Sequence, residues 1–157
     1  MSDFLATAKT AFAALPKGGR MLGLDLGTKT IGIATSDLTN QIATPRYTIE
    51  RTKFMAEAKE LIAFAAAEAI GLIVLGLPVN LDNTEGPRAQ STRAFARNLG
   101  KLTPLPIIFW DERWSTVVVT RTMLEADLSR AKRAANVDKL AAAYILQSML
   151  DAVRTSA

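Results

Sequence analysis

The chain has 157 residues, 49% of them hydrophobic and 22% charged, which fits one domain with a full core and excludes both a disordered chain and a membrane bundle. It contains no Cys and no His; that excludes disulfides, thiolate nucleophiles, zinc–thiolate and iron–sulfur centres, an imidazole base and the usual serine triad. Hydrolytic chemistry would fall to carboxylates, with a hard cation such as Mg²⁺ as companion to oxygen ligands, and the net charge of +4 mildly favours an anionic partner.

Ser2 caps a short predicted helix with Leu5, Ala8, Phe12 and Leu15 on one face, ended by Pro16 and Gly18-Gly19. Residues 1–20 read as an accessory helical extension of a domain spanning 21–157. Lys9, Lys17 and Arg20 stand in the wrong order for a secretory signal. Because no apolar run approaches the roughly 20 residues of a membrane span, a cytoplasmic protein is expected. The segments MLGLDL (21–26), TIGIATS (30–36) and about 42–49 read as an antiparallel meander, the third strand placed at a sheet edge by Pro45.

From Lys53 to Ala69 the period turns helical, with Phe54, Ala58, Leu61, Ile62 and Ala65 on the apolar side and Glu57, Lys59 and Glu60 on the polar one. LIVLGLP (72–78) is a buried strand, 80–86 a polar loop, about 88–101 a helix and 106–110 a short strand; a further helix opens at Ser115-Thr116. A basic linker at 130–133 precedes a last helix from Val137 to about Arg154. The order βββαβαβαα predicts an α/β fold, a mixed sheet flanked by helices. Arg93, Arg97 and Lys101 recur every four residues and form one stripe, readable as a solvated face or as a phosphate contact.

The acids fall at element ends. Asp25 interrupts Leu22, Leu24 and Leu26 near the end of a core strand, where a carboxylate is costly unless paired, hydrogen-bonded or metal-bound. Gly27-Thr28-Lys29 then makes a tight turn with donors for a phosphate, although Asp25 could equally serve as a turn residue bonded to its amides. In Asp111-Glu112-Arg113, neighbouring residues leaving a strand diverge, so one acid points to the sheet edge and the other into the loop; the plainer alternative is capping and an Arg113 ion pair. Trp110 and Trp114 read as core anchors. Asp138 opens the last predicted helix, where the macrodipole favours an acid anyway, yet if that helix packs beside the first strand, three acids converge into an oxygen-ligand site. Asp82, Glu85 and Arg88 sit in the loop NLDNTEGPR after a strand end where sites gather, readable as a substrate-contacting loop or a plain turn, and Asn83 there tolerates a left-handed backbone.

GLDLGTKTIGIATSD (23–37), IVLGLPVNLDNTEGPRA (73–89), DERWST (111–116) and VDKLAAAYILQSML (137–150) resemble, in order and spacing, the motifs of the YqgF family, also called RuvX. The resemblance implies an RNase H-like fold with a mixed five-stranded sheet of βββαβαβα order. It further implies a nuclease related to RuvC-type Holliday-junction resolvases that processes the 5′ end of pre-16S rRNA in ribosome biogenesis. By motif, Asp25, Glu112 and Asp138 become the catalytic acids and the ligands of a two-metal Mg²⁺ or Mn²⁺ site. The expected substrate contacts are Thr28, Lys29, Asn80, Asp82, Thr84, Arg88, Arg113, Ser115 and Thr116, and the expected partner is precursor rRNA, with ribosome association, or else branched DNA. Where the family usually has an aromatic residue this chain has Leu26, and where it has Gly this chain has Asn83. RuvC-like resolvases tend to carry a second acid one turn along the helix, at Ala141 here, which puts junction resolution behind phosphodiester hydrolysis in general. The DLGT start also resembles the phosphate loop of the actin, Hsp70 and sugar-kinase superfamily, which needs two such domains. A non-catalytic nucleic-acid-binding module is the remaining rival, and three carboxylates that would repel phosphate argue against it.

Overall fold

The computed structural model describes residues 2–114 and 130–155. After α1 (Ser2–Ala13) come a meander of β1 (Arg20–Leu26), β2 (Thr30–Ser36) and β3 (Ala43–Glu50), then α2 (Phe54–Ala67), β4 (Ile70–Leu77), α3 (Pro87–Gly100), β5 (Ile107–Asp111) and α4 (Arg130–Thr155). A 3₁₀ turn, Glu112–Trp114, follows β5. The sheet has five strands in the order β3-β2-β1-β4-β5, antiparallel from β3 to β1 and parallel from β1 to β5. The meander and the mixed sheet are as the sequence predicts. The helix expected to open at Ser115-Thr116 lies outside the described residues, as do the side chains of Trp114, Arg130, Lys132 and Arg133.

Pro45 does sit in an edge strand. Ile33 pairs with Tyr47 and Ala34 with Pro45, so Arg46 is an extra residue bulged out of the ladder where proline removes a donor. The β2–β3 turn is held by the Asp37 carboxylate, which accepts the Thr39 hydroxyl and the N–H groups of Gln41 and Ile42.

Strand alternation divides the core. Leu22, Leu24 and Leu26 join Ile31, Ile33, Ile73 and Leu75 under α2 and α3. Met21, Leu72, Val74, Ile108 and Trp110 face the other way, against Ala141, Ile145, Leu146 and Met149 of α4. The first helix packs on this second layer with Ala8 fully buried. A central patch of that face has almost no side chains. A Cβ on Gly23 would lie 2.9 Å from Leu146 Cβ, one on Gly76 2.4 Å from Ile145 Cδ1, and one on Gly32 only 1.9 Å from the Asp138 carbonyl oxygen. Here α4 rests on bare strand backbone.

Two expectations are corrected. The segment 130–133 is not a linker: α4 begins at Arg130, because RAKRAAN contains neither Gly nor Pro and is rich in strong helix formers. Val137 is a buried residue within the helix, not its start, so Asp138 stands inside the helix and the macrodipole argument does not apply to it. Glu57, assigned to the polar side of α2, is 2% exposed. In the first turn its carboxylate reaches back to accept the Thr52 N–H and Arg51 Nε, tying the helix to the segment that precedes its N-cap Lys53.

Gly32→Ala is expected to cost about 3 kcal/mol by driving α4 off the sheet. Gly86→Ala, where a Cβ would meet nothing nearer than 3.7 Å, should stay within about 0.5 kcal/mol; urea unfolding of both variants makes the comparison. Asp37 is held down to about 2, chiefly by Thr39 and then by the Ile42 and Gln41 amides. A depressed carboxylate stabilises the fold above its ordinary range and ceases to as pH falls through its folded value. An NMR carboxyl titration should therefore place the Asp37 midpoint near 2, with the turn loosening as pH falls through it.

Candidate active site

Asp25 occupies the α4 side of β1, in phase with Met21 and Gly23, and is 1% exposed. The strand ends one residue later and the Gly27 N–H closes the following turn on the Thr30 carbonyl. Onto this turn α4 lowers Asp138. Its Oδ2 lies 2.6 Å from where a Gly27 Cβ would be, and it accepts a hydrogen bond from the Thr30 hydroxyl. Thr30 went unnoticed in the sequence, although the alternation Thr30, Gly32, Ala34 against Ile31, Ile33 places it on the α4 side.

Glu112 reaches the same face from the other side. Leu24 pairs with Leu75, which puts Asp25 and Gly76, the next residues, side by side; Glu112 Cγ lies 3.3 Å from a Cβ built on Gly76. The side chain is 7% exposed. Asp111, one residue earlier, faces away and is 0% exposed. Arg113 clamps it, with Nε 3.1 and 3.0 Å from the two carboxylate oxygens, Nη2 2.6 Å from Oδ2, and its own N–H 2.9 Å from Oδ1. The two neighbouring acids thus diverge: Asp111 is paired with Arg113, while Glu112 lies on the same face of the sheet as Asp25 and Asp138.

Of the expected substrate contacts, Arg113 is engaged with Asp111 and, through Nη1, with the Asn80 carbonyl at 2.8 Å. Asn80, Asp82 and Thr84 knit their own loop. Asn80 Nδ2 donates to Thr84 Oγ1 at 3.0 Å, while Thr84 donates its N–H and hydroxyl to Asp82 Oδ1 at 3.0 and 2.6 Å. The Thr84 hydroxyl and amide hold the Asp82 carboxyl below its usual range. Asn83 has φ 71°, the left-handed backbone anticipated for it. Arg88 reaches the other face of the sheet end and donates from Nη2 to the Leu26 carbonyl at 3.3 Å. Thr28 and Lys29 are exposed on the turn after Asp25; Ser115 and Thr116 lie outside the described residues.

The basic stripe is not a uniform row. Arg93 forks onto Glu85 at 2.6 and 2.7 Å and stacks over Phe109 at 4.9 Å from its centroid, towards the β5 edge. The pairing lowers the Glu85 carboxyl and raises the Arg93 guanidinium. Arg97 and Lys101 remain exposed.

Asp25, Glu112 and Asp138 offer oxygen donors only, the chemistry that suits Mg²⁺ or Mn²⁺. Asp25 Oδ1 and Glu112 Oε1 are buried atoms accepting no hydrogen bond, while both side chains have further polar interactions. The donor set fits a hard cation. As they stand, no three acidic side chains among the described residues are close enough together to form a finished metal cage.

A model of the RuvX family, described as Holliday junction resolvase, matches residues 19–152. A Rhodobacter capsulatus protein named "Putative pre-16S rRNA nuclease" is 63% identical over 88% of this chain and 87% of its own. A Paracoccus denitrificans protein of the same name is 57% identical over 93% and 92%. In fold, the chain is similar to Thermus thermophilus RuvC solved with a Holliday junction substrate, at a TM-score of 0.54 and 10% identity, over 88% of this chain and 96% of that one. RuvC has the RNase H-like fold.

Arg113→Gln is expected to lower the urea midpoint more than Arg93→Gln. The first leaves behind a fully buried carboxylate, the second one whose side chain is 31% exposed. Equal shifts would contradict the structural role given to the Asp111–Arg113 pair.

Proposed function

The chain belongs to the RuvX family of nucleases, and on that premise we propose that it is a divalent-metal-dependent phosphodiesterase that trims the 5′ end of precursor 16S rRNA. The observation that carries the metal-dependent reading is the delivery of Asp25, Glu112 and Asp138, from β1, the turn after β5, and α4, to one face of one sheet end. In this reading residues 21–157 form the nuclease domain and residues 1–20 an extension to it. Such a substrate implies a cytoplasmic, ribosome-associated site of action.

Asp25, Glu112 and Asp138 would hold two Mg²⁺ or Mn²⁺ ions. When bound, such ions supply an activated water and stabilise the leaving 3′ oxygen. The protein's own contribution is placement. β1 fixes Asp25 inside the sheet, Gly76 makes room for Glu112, and Thr30 orients Asp138. In-line attack of water on phosphorus would leave a 5′ phosphate. The acids position charge and need not accept the proton. Lys29 and Thr28, exposed beside Asp25, are placed to meet flanking phosphates.

The second reading, resolution of four-way DNA junctions, draws on the family description and on the substrate of the RuvC structure. The position one turn beyond Asp138 weighs against it: Ala141 is buried in the core and supplies no further carboxylate.

The decisive experiment compares a pre-16S 5′ leader, unstructured single strands and four-way junctions in Mg²⁺, Mn²⁺ or EDTA. Cleavage of the leader is expected with either ion and none with EDTA. Asp25→Asn, Glu112→Gln and Asp138→Asn should each reduce the rate on the order of 100-fold. Asp111→Asn should retain its activity per folded molecule while lowering the unfolding midpoint. Activity that survives EDTA, or Asp25→Asn at the native rate, would falsify the mechanism; preference for junctions would transfer the substrate to DNA.

A further inference from the structure

On the opposite face of the β1 end from the three acids lies a cleft of about 320 Å³, lined by Leu26, Gly27, Thr28, Arg51, Thr52, Arg88, Ser91 and Thr92. Two guanidinium groups enter it from different elements. Arg51, at the start of the β3–α2 connection, donates from Nη1 to the Gly27 carbonyl at 2.9 Å and from Nε to Glu57 at 3.1 Å. Arg88, in the first turn of α3, donates to the adjacent Leu26 carbonyl. Consecutive carbonyls at the end of β1 therefore anchor the two cations, and each guanidinium keeps donors beyond those it uses, from a set of five. Among the described residues Arg88 has no acidic partner. The Glu57 carboxylate near Arg51 is buried and already occupied by Arg51 Nε and the Thr52 N–H. The hydroxyl-bearing residues Thr28, Thr52 and Ser91 complete a lining of donors around net positive charge.

We propose that this cleft is a phosphate-binding subsite, in which Arg51 and Arg88 receive one phosphate of the nucleic-acid strand while a neighbouring phosphodiester faces Asp25, Glu112 and Asp138 across the main chain of residues 26–27. Planar forks that match phosphate oxygens, held on backbone carbonyls so that little side-chain freedom is lost on binding, are the chemistry of such a site. Its lining of guanidinium groups and hydroxyls suits a phosphate, so it would set register rather than sequence. The inference rests on the nuclease reading above, and it redirects the strand from the Arg93–Lys101 stripe to the cleft between the first turn of α3 and the end of β1.

The test uses the full chain and single-stranded RNA in EDTA, with 5′-phosphorylated and 5′-hydroxyl strands compared, alongside a cleavage assay in Mg²⁺. Arg88→Gln removes an exposed cation with a single hydrogen bond and should weaken binding about tenfold while reducing the log–log salt slope by about 0.7. Arg51→Lys preserves the charge opposite Glu57 but loses the fork, so it should weaken binding with little change in slope. A larger effect on the phosphorylated strand assigns the cleft to a terminal phosphate; equal effects assign it to an internal one. Independently of any variant, titrating inorganic phosphate into the wild-type chain should shift the amide signals of Thr28, Thr52 and Ser91. If those amides stay still, or both variants bind with native affinity and slope, the subsite is overturned even where cleavage is intact. Should the phosphate shifts appear in a chain that neither binds nor cuts RNA, the nuclease reading fails and the role given to the cleft in placing a strand fails with it.

Discussion

Helix α4 lies directly on the backbone of the sheet at Gly23, Gly32 and Gly76, and the site depends on that contact. Side chains at these positions would hold the helix away: the Asp138 carbonyl stands where a Gly32 Cβ would have to be, and Ile145 and Leu146 fill the space over Gly76 and Gly23. Glycine inside a strand sacrifices packing and adds chain entropy to be lost on folding. Here that cost is offset by burial of Ala141, Ala142, Ile145, Leu146 and Met149. The same vacancy that admits α4 also admits the Glu112 side chain over Gly76 and the Asp138 carboxylate over Gly27. A row of missing side chains thus creates both the packing interface and the room for acids at its end.

Alternation then sorts charge across the sheet. Asp25 and Leu26 are adjacent in the chain, but one faces α4 and the other lies under α2 and α3. Asp111 and Glu112 diverge in the same manner, and the partner of each follows from its side. Asp111 is taken by Arg113, which also fastens the loop after β4 through the Asn80 carbonyl. Glu112 stays with the other two acids. The cations Arg51 and Arg88 hold the end of β1 from the far side, so the sheet edge presents carboxylates on one face and guanidinium groups on the other, with a strand's thickness of backbone between.

Most of the fold was legible because the apolar strand segments stand out, Pro16 and Gly86-Pro87 punctuate the chain between elements, and Pro45 marks an edge strand. The helical stretch before Val137 was not, because its run of four cationic and polar residues among alanines, RAKRAAN, shows no apolar periodicity of large side chains. Glu57 was missed for a related reason. Its spacing places it on the polar side, and only the path of residues 51–53, fixed by β3 and the Arg51 contact with Gly27, closes over it. The three acids could be named from their places at element ends and from family motifs, Glu112 being preferred to Asp111 by motif alone; that the two side chains take opposite faces follows from the register of β5 against β4. Thr30 and Arg51 are single polar residues without a spacing signature, and their roles come from contacts with Asp138, 108 positions away, and with Gly27, 24 positions away. The Arg93 stripe was legible as a pattern, but Glu85, its neutralising partner, reaches it from a loop whose course is set by Asn83 and the Asp82–Thr84 hydrogen bonds.

The position of Asp138 within α4 changes what holds it. An acid at a helix start is favoured by the dipole but belongs to a turn that frays. Asp138 instead has helical backbone on both sides of it, with Ala142 one turn further on packed against Gly23 and Ala34. Its main chain is fixed by the close approach at Gly32, and its carboxylate is oriented by the Thr30 hydroxyl from the strand below. Asp25 is fixed by the same meander, because β1 and β2 are joined by the turn that Asp138 covers. Two of the three acids are therefore referenced to one hairpin, and the third is referenced to it through Gly76 on the neighbouring parallel strand. A site built this way keeps its spacing only while α4 is docked, so the stability of the helix–sheet interface and the geometry of the acids are one property of the structure.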